Sequence, residues 1–227
     1  MKSYGQFCPV AKACEVFAER WTPLIVRELC AGSARFNDLR RGVPLMSPSL
    51  LSRRLKELEQ AGVVVCTRGS DGRSSEYHLT EAGRELEPVI ERLGVWGKRW
   101  TRAVIEKRDL DAGYLMWSVR GSVRSGAPPS GRTVVRFDFA GTSSGKRVWW
   151  LVFEDGDVEL CLLDPGFDVD LHVRTHLRTM TALWLGDTTW EAALESGALA
   201  IEGPARLVRA FPRWFEPSPI VNVARRI

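Results

Sequence analysis

Residues 47–62 have the sequence SPSLLSRRLKELEQAG, which carries helix-boundary signals at both ends. Ser47 is predicted to cap the helix, Pro48 suits its first turn, and Gly62 is predicted to end it. Leucines between these ends recur at helical spacing on one face, and small or cationic residues occupy the opposite face. The apolar face consists of Leu51, Leu55 and Leu58, and the opposite face of Ser49, Ser52, Arg53 and Lys56. The segment therefore predicts an amphipathic helix with a cationic outer face.

The outer face of this helix suits contact with double-stranded DNA. Small side chains allow a helix to enter the major groove, which is about 12 Å wide. Helix-end amides, hydroxyls and the side chains of Arg and Lys then bind phosphates and guanine edges. A solvated cationic face would have the same sequence, so the helix alone leaves both interpretations open.

A hairpin is predicted directly after this helix. Residues 63–68 are mostly apolar and β-branched, residues 69–75 form a polar loop, and residues 76–79 are strand-like. An Arg-bearing hairpin after a recognition helix is typical of the wing of a winged helix, and its arginines are expected to reach the DNA backbone or the adjacent minor groove. The predicted DNA-binding residues are Ser47, Ser49, Ser52, Arg53, Lys56, Arg68 and Arg73.

Further helices are predicted on both sides of this region. Pro9 begins the first, Thr22 is predicted to cap the second, and residues 36–41 form a short third helix. Thr80 is predicted to cap a long helix whose apolar residues recur at spacings of three and four as far as Val104. The length of this last helix favours a helix–helix seam between two copies of the chain.

Five blocks of this half resemble the HxlR-type winged-helix regulators, over about residues 5–105. The blocks are CPV at 8–10, RWT at 20–22, FNDL at 36–39, LSRRLKEL at 51–58 and YHLTEAG at 77–83. The resemblance implies a homodimer that binds operator DNA of twofold symmetry. Members of this family commonly carry a cysteine at the position of Cys8, and some use it to sense oxidants or electrophiles. A structural role at the helix start is the alternative for Cys8.

The composition fits two ordinary domains of different charge. The chain has 227 residues, enough for two domains of about 100 to 150 residues each. Residues 1–108 hold 19 Lys and Arg against 13 Asp and Glu, a net charge of +6, whereas residues 109–227 hold 13 against 15, a net charge of −2. The basic half fits a polyanionic partner.

Several functional classes are disfavoured by the sequence. No apolar stretch approaches the roughly 18 residues that cross a bilayer, and the N-terminus lacks a signal-peptide core, so a cytoplasmic location without a membrane partner is expected. The five cysteines form no CxxC pair and the three histidines complete no zinc-ligand spacing, so no metal is expected. Neither a GxSxG motif, a phosphate loop nor a nucleophile–base pair occurs. We therefore expect no enzymatic activity and no cofactor.

The C-terminal half combines strands with helices. Turns rich in Gly and Asp separate four strand-like runs, which predicts an antiparallel sheet. The predicted strands cover 134–139, 147–153, 157–163 and 169–173, and the predicted helices cover 175–185, 188–196 and 204–211.

This half resembles the sterol-carrier-protein-2-like (SCP2-like) fold over about residues 132–215. The stretches that carry the resemblance are RVWWL at 147–151, DPGFDVDL at 164–171, LWLGD at 183–187 and IEGP at 201–204. The resemblance implies a sheet covered by helices, with an apolar tunnel for a lipid-like ligand. The predicted lining residues are Phe137, Phe139, Trp149, Leu160, Leu162, Met180, Leu183 and Trp184. The same residues are also typical of a plain core, and that alternative stays open.

Together these patterns predict an α+β chain of two domains. A winged helix-turn-helix for DNA binding and dimerisation is expected over residues 1–108, a connecting helix or linker over 109–131, and an SCP2-like α/β sandwich over 132–227. The predicted function is a homodimeric DNA-binding transcription regulator that responds to a small hydrophobic ligand. Two alternatives remain: a redox or electrophile sensor acting through the thiol of Cys8, and a lipid-binding module whose winged helix does not bind DNA.

Overall fold

The computed structural model of the chain describes residues 3–69, 72, 74–101, 105–142, 144–224 and 226. It divides into two compact units, residues 1–97 and residues 98–227. Among the described residues, no helix combines the length and the apolar character that crossing a membrane requires. Within the same residues, no three His, Cys, Asp or Glu side chains converge to hold a metal ion.

The first unit begins with four helices, whose bounds agree with the predicted ones to within two residues. They are α1 (Pro9–Phe17), α2 (Thr22–Cys30), α3 (Phe36–Gly42) and α4 (Pro48–Gln60). The predicted cap of α4 is confirmed, because the Ser47 hydroxyl accepts a hydrogen bond from the Leu50 amide at 3.3 Å. The predicted cap of α2 is wrong. Thr22 is the first helical residue, and the capping position falls on Trp21 in a left-handed conformation with φ of 78°.

A two-stranded hairpin follows α4, as predicted. Its strands are β1 (Val64–Arg68) and β2 (Ser75–Leu79), which pair antiparallel with Cys66 opposite Tyr77. The Tyr77 amide also donates to the Ala34 carbonyl at 2.8 Å, so the hairpin is joined to the loop before α3. Four helices and this hairpin constitute a winged helix-turn-helix.

The single long helix predicted after Thr80 is wrong. The structure has two helices there, α5 (Glu81–Arg84) and α6 (Glu87–Trp100). Pro88 accounts for the break, because a proline ring clashes with the carbonyl four residues earlier and the residue before a proline disfavours helical geometry. The last turn of α6 belongs to the second unit, where the ammonium of Lys98 donates to the carbonyl oxygens of Leu185 and Val221.

The second unit contains four further helices and one sheet. Its helices are α7 (Ala112–Gly121), α8 (Leu177–Leu185), α9 (Trp190–Glu195) and α10 (Ala205–Ala210). Its strands are β3 (Thr133–Ala140), β4 (Val148–Glu154), β5 (Asp157–Cys161), β6 (Leu171–His176) and β7 (Leu199–Glu202). Five residues of α7 are buried, so this helix, expected as a connecting element, is part of the core of the second unit.

The sheet of the second unit differs from the predicted one in two respects. Its strand order is β5-β4-β3-β6-β7, and β3 pairs with β6 in parallel, with Val135 opposite Leu171. The expectation of a purely antiparallel sheet is therefore wrong. The fifth strand, β7, is short and was not predicted as a strand, because its four residues lack an extended alternating pattern.

The two faces of this sheet have different coverings. The main core joins alternate residues of β3, β4 and β6 with apolar residues of α7, α8, α9 and α10, so these helices cover one face. On the opposite face, Val134, Trp150 and Val152 pack with Val169 of the β5–β6 connection. That connection runs from an edge strand to β6, and in the part of the chain that the structure describes no helical residue joins this second cluster.

Replacing Gly83 by alanine is expected to destabilise the first unit, although alanine favours helices. A Cβ atom on Gly83 would lie 2.2 Å from the carbonyl oxygen of Val63. We expect a loss of about 1–3 kcal/mol in the free energy of unfolding, measured by urea denaturation. Gly121→Ala is the control, because its Cβ would meet no atom within 4 Å. An equal or smaller loss for Gly83→Ala than for Gly121→Ala would contradict the crowding argument.

Candidate nucleic-acid interface

Burial of one leucine face fixes the rotation of α4. Leu51, Leu55 and Leu58 are buried in the core of the first unit with residues of α2, α3 and β1. The residues predicted to face DNA from this helix are all exposed, namely Ser49, Ser52, Arg53 and Lys56. Ser47 is exposed at the capping position, and its hydroxyl lies 3.3 Å from that of Ser49. The structure therefore brings five of the seven predicted residues onto one accessible surface.

The two adjacent arginines of α4 have opposite environments. The side chain of Arg53 is 64% exposed, and its nearest carboxylate partner is Glu57 at 3.8 Å. The side chain of Arg54 is only 12% exposed and forms ion pairs with Glu57 and with Glu19, the latter at 2.8 Å. Arg54 thus joins α4 to the end of α1, whereas Arg53 is available to a partner. The spacing of leucines had already assigned Arg53, but not Arg54, to the outer face.

The hairpin is a second element that carries an exposed arginine. Arg68 is exposed at the end of β1, and in the described part of the chain neither Arg68 nor Lys56 takes part in an ion pair. Arg73 lies outside the described residues. An ion pair between Arg35 and Glu76 links the hairpin to the segment before α3. The Nε atom of Arg35 lies 3.4 Å from Oε1 of Glu76. Sequence analysis missed this link because the two residues are 41 positions apart and neither belongs to a recognisable motif.

The five cysteines are free thiols in partly buried positions. Cys8 precedes α1, and its carbonyl accepts the hydrogen bond of the Lys12 amide at 3.0 Å. Burial raises the pKa of the Cys30 thiol, and the carboxylate of Glu87 raises it further. Burial likewise raises the pKa of Cys161. Cys30 and Cys161 are therefore poor thiolates, and a sensing role for Cys8 stays a prediction.

The first unit has the sequence and fold of a known family. The family model described as HxlR-like helix-turn-helix matches residues 16–104. The HTH-type transcriptional regulator YvaP of Bacillus subtilis is 37% identical over 98 residues, which cover 42% of this chain and 91% of YvaP. The chain belongs to the HxlR-like helix-turn-helix family. A second B. subtilis member, YdeP, is 34% identical over 94 residues, which cover 41% of this HxlR-like chain and 73% of YdeP.

A solved structure is also similar to this HxlR-like chain. It is the reduced form of the redox regulator HypR, with 33% identity and a TM-score of 0.38, covering 40% of this chain and 90% of HypR. The matched residues of the family model end at 104, before the sheet of the second unit begins at Thr133.

The residues predicted to line an apolar tunnel do not share one environment. Phe137, Phe139, Trp149, Met180 and Leu183 are buried in the core of the second unit. Leu160 and Trp184 are partly buried against that core. Leu162 is 55% exposed beyond the end of β5, so the structure does not bring it together with the other seven. The rings of Phe137 and Phe139 lie 6.0 Å apart, in direct packing contact.

Arg54→Ala is expected to destabilise the first unit, and Arg53→Ala is not. Removing Arg54 leaves the carboxylates of Glu19 and Glu57 without their buried partner, at an expected cost of roughly 2 kcal/mol in the free energy of unfolding. Arg53 is exposed, so its removal should change that free energy by less than about 0.5 kcal/mol. Urea denaturation of the two variants measures the difference. Equal losses of unfolding free energy in the two variants would contradict the different environments assigned to the two arginines.

Proposed function

We propose that this HxlR-like protein is a transcription regulator that binds double-stranded operator DNA through α4 and the hairpin. The observation that carries the proposal is the partition of α4: three leucines are buried, and the opposite face presents small and cationic residues to solvent. A helix of this kind beside an arginine-bearing hairpin is the arrangement with which winged-helix proteins enter a major groove.

The geometry and charge of α4 support this mode of binding. Its 13 residues extend for about 20 Å at 1.5 Å per residue, enough to cross a major groove about 12 Å wide. Its N-terminus carries two hydroxyls, those of Ser47 and Ser49, which can donate to phosphate oxygens. Arg53 and Lys56 follow one and two turns later and extend to base edges or to the backbone.

We further propose that the protein acts as a homodimer whose seam includes α6. Val89, Leu93 and Trp96 are 42%, 47% and 58% exposed, and their spacing of four and three puts them on one face of that helix. Helix α1, all of whose residues are described, has no buried side chain, and Val10 on it is exposed. Apolar helix faces of this kind are unfavourable in water and are removed from it by pairing. A twofold dimer would present two copies of α4 to half-sites about 34 Å apart.

The second unit is proposed to be an SCP2-like domain that binds a small hydrophobic ligand and thereby changes operator affinity. Support comes from its architecture, a sheet with helices packed on one face around an aromatic core. The indole N–H of Trp214, fully buried in this core, has no hydrogen-bond acceptor among the described residues. A ligand with an apolar body and one polar oxygen would satisfy it. If the winged helix does not bind DNA, ligand binding by this unit is the remaining function.

Operator binding is expected to be specific, salt-dependent and dependent on the outer face of α4. The protein should bind the DNA upstream of its own gene more tightly than a scrambled duplex, measured by fluorescence anisotropy over a series of salt concentrations. Replacing Arg53 and Lys56 together by alanine removes two cations. We therefore expect a loss of roughly 2–4 kcal/mol in the free energy of DNA binding and a shallower dependence of the affinity on salt concentration.

The matched control for this experiment is Arg209→Ala together with Arg213→Ala, which removes two cations from the second unit. The control should bind the upstream DNA within about twofold of the parent protein, because neither arginine belongs to the surface proposed to bind DNA. Equal binding of both duplexes, or an unchanged affinity in the α4 variant, would contradict DNA recognition. Saturation with oleate tests the ligand, and an unchanged operator affinity would reject this part of the proposal for long-chain carboxylates.

Dimerisation is expected to depend on the exposed face of α6. Leu93→Glu together with Trp96→Glu puts like charges into the proposed seam. We therefore expect the dissociation constant of the dimer to rise at least about 100-fold. Sedimentation equilibrium measures this change. Leu163→Glu is the control, since Leu163 is exposed in the second unit, and it should leave the association constant unchanged. A monomeric parent protein, or a double variant that remains dimeric, would exclude this seam.

A further inference from the structure

The face of the second-unit sheet opposite helices α7 to α10 contains a depression with a volume of about 250 Å³. Its lining residues are Arg136, Asp138, His172, Val173 and Arg174, which belong to the paired strands β3 and β6. This volume is somewhat below that of pockets for drug-sized molecules, so the depression suits a small metabolite. We refer to it as the open-face depression.

The sheet register explains why these side chains meet. Residues two apart on a strand share a face, so Arg136 and Asp138 project together from β3, and His172 and Arg174 from β6. In the parallel pairing, Arg136 lies opposite His172 and Asp138 lies opposite Arg174. On the same face, the neighbouring residue Val134 packs with Val169 of the β5–β6 connection.

Charge in the open-face depression is unbalanced. The Asp138 carboxylate accepts a hydrogen bond from Arg147 at 2.7 Å, so this acidic group is already neutralised. Arg174 pairs with Glu202 of β7. Arg136 has neither an ion pair nor a hydrogen bond among the described residues, and its guanidinium carbon lies 5.9 Å from the centroid of the Trp150 ring. One cation therefore remains without a counter-charge.

Other polar groups beside Arg136 also have no partner. Trp150 lies opposite Arg136 on β4, and its indole N–H is buried without an acceptor in the described part of the chain. His172, partly buried on the other side of Arg136, forms no hydrogen bond through its ring among the same residues. A guanidinium and an indole are donors only, and an imidazole offers at least one donor. The buried indole of Trp150 does not line the depression, so the two groups that face a ligand are Arg136 and His172, and an acceptor with a negative charge would satisfy both.

We propose that the open-face depression binds a small organic carboxylate, with the carboxylate on Arg136 and His172. A guanidinium holds a carboxylate through two parallel hydrogen bonds, which selects it over neutral groups. The flat ring of His172 beside Arg136 favours a planar ligand body. This site lies on the opposite face of the sheet from the aromatic core, so it is separate from the proposed hydrophobic ligand. It also does not depend on DNA binding by the first unit.

Calorimetric titration of the full-length protein with benzoate, without DNA, tests the site. Benzamide has the same shape without the charge, and we expect it to bind at least about tenfold more weakly than benzoate. Inorganic phosphate tests whether negative charge alone is sufficient, and it should also bind more weakly because it lacks a planar body. Equal binding of benzoate and benzamide would overturn the proposal, as would the absence of benzoate binding at millimolar concentration.

Two variants locate the bound benzoate. Arg136→Gln should weaken benzoate binding at least about tenfold, and His172→Gln at least about threefold. Arg209→Gln, an exposed arginine on α10, removes the same charge on the helical side and should change the affinity less than about twofold. Unchanged affinity in Arg136→Gln, or an equal loss in Arg209→Gln, would exclude the open-face depression.

Nuclear magnetic resonance of the histidine rings gives a readout that does not rely on a variant of Arg136. The chain has only three histidines, so the ring signals of His172 can be assigned by their loss in His172→Gln. Benzoate should shift the signals of His172 and leave those of His78, in the first unit, unmoved. A shift of His78 without a shift of His172 would overturn the assignment. Operator binding is measured separately, so failure of this site leaves the proposed regulator function untouched.

Discussion

Burial of Leu51, Leu55 and Leu58 is the constraint on which the arrangement of the first unit depends. A helix that buries three leucines on one stripe has only one rotational setting, because any other would expose apolar surface and bury charge. That setting turns Arg53 and Lys56 outward and Arg54 inward, toward Glu19. The same stripe fixes the position of the hairpin, since Val64 of β1 packs in the same core. Core packing and the proposed DNA surface are therefore two consequences of one periodic pattern.

Much of the first unit was predictable because its signals are local. Caps, prolines and helical spacing lie within a few residues of the elements they define, and the bounds of α1 to α4 followed from them. The errors also have local causes. The capping position of α2 falls on Trp21 instead of Thr22. Pro88 separates α5 from α6, where one long helix is predicted. Contacts between distant residues, such as Arg54 with Glu19 or Arg35 with Glu76, left no trace in the sequence pattern, because ion pairs require only charge and proximity.

The second unit was harder to predict because its sheet depends on contacts between residues that are distant in the sequence. Strand-like runs separated by turns predicted the strands β3, β4, β5 and β6, but such runs do not specify the direction of a neighbouring strand. The parallel pairing of β3 with β6 and the short strand β7 appear only when the chain is folded. The outer row of Trp150, Arg136 and His172 comes from three different strands, so no spacing rule applied to one segment could have assembled it. The predicted lining of a tunnel was assembled from apolar residues alone, and most of those residues form the core.

The pairing of β3 with β6 has a consequence for the order in which the molecule folds. Val134 and Asp170, joined by a hydrogen bond beside this pair, are 36 residues apart, and β4 and β5 must be accommodated between them. The pairing of β1 with β2 joins residues at most 15 positions apart, and local contacts form with a smaller loss of chain entropy. During synthesis the N-terminal unit also leaves the ribosome first. The winged helix-turn-helix unit can thus fold while the strands of the second unit are still unpaired and prone to aggregation.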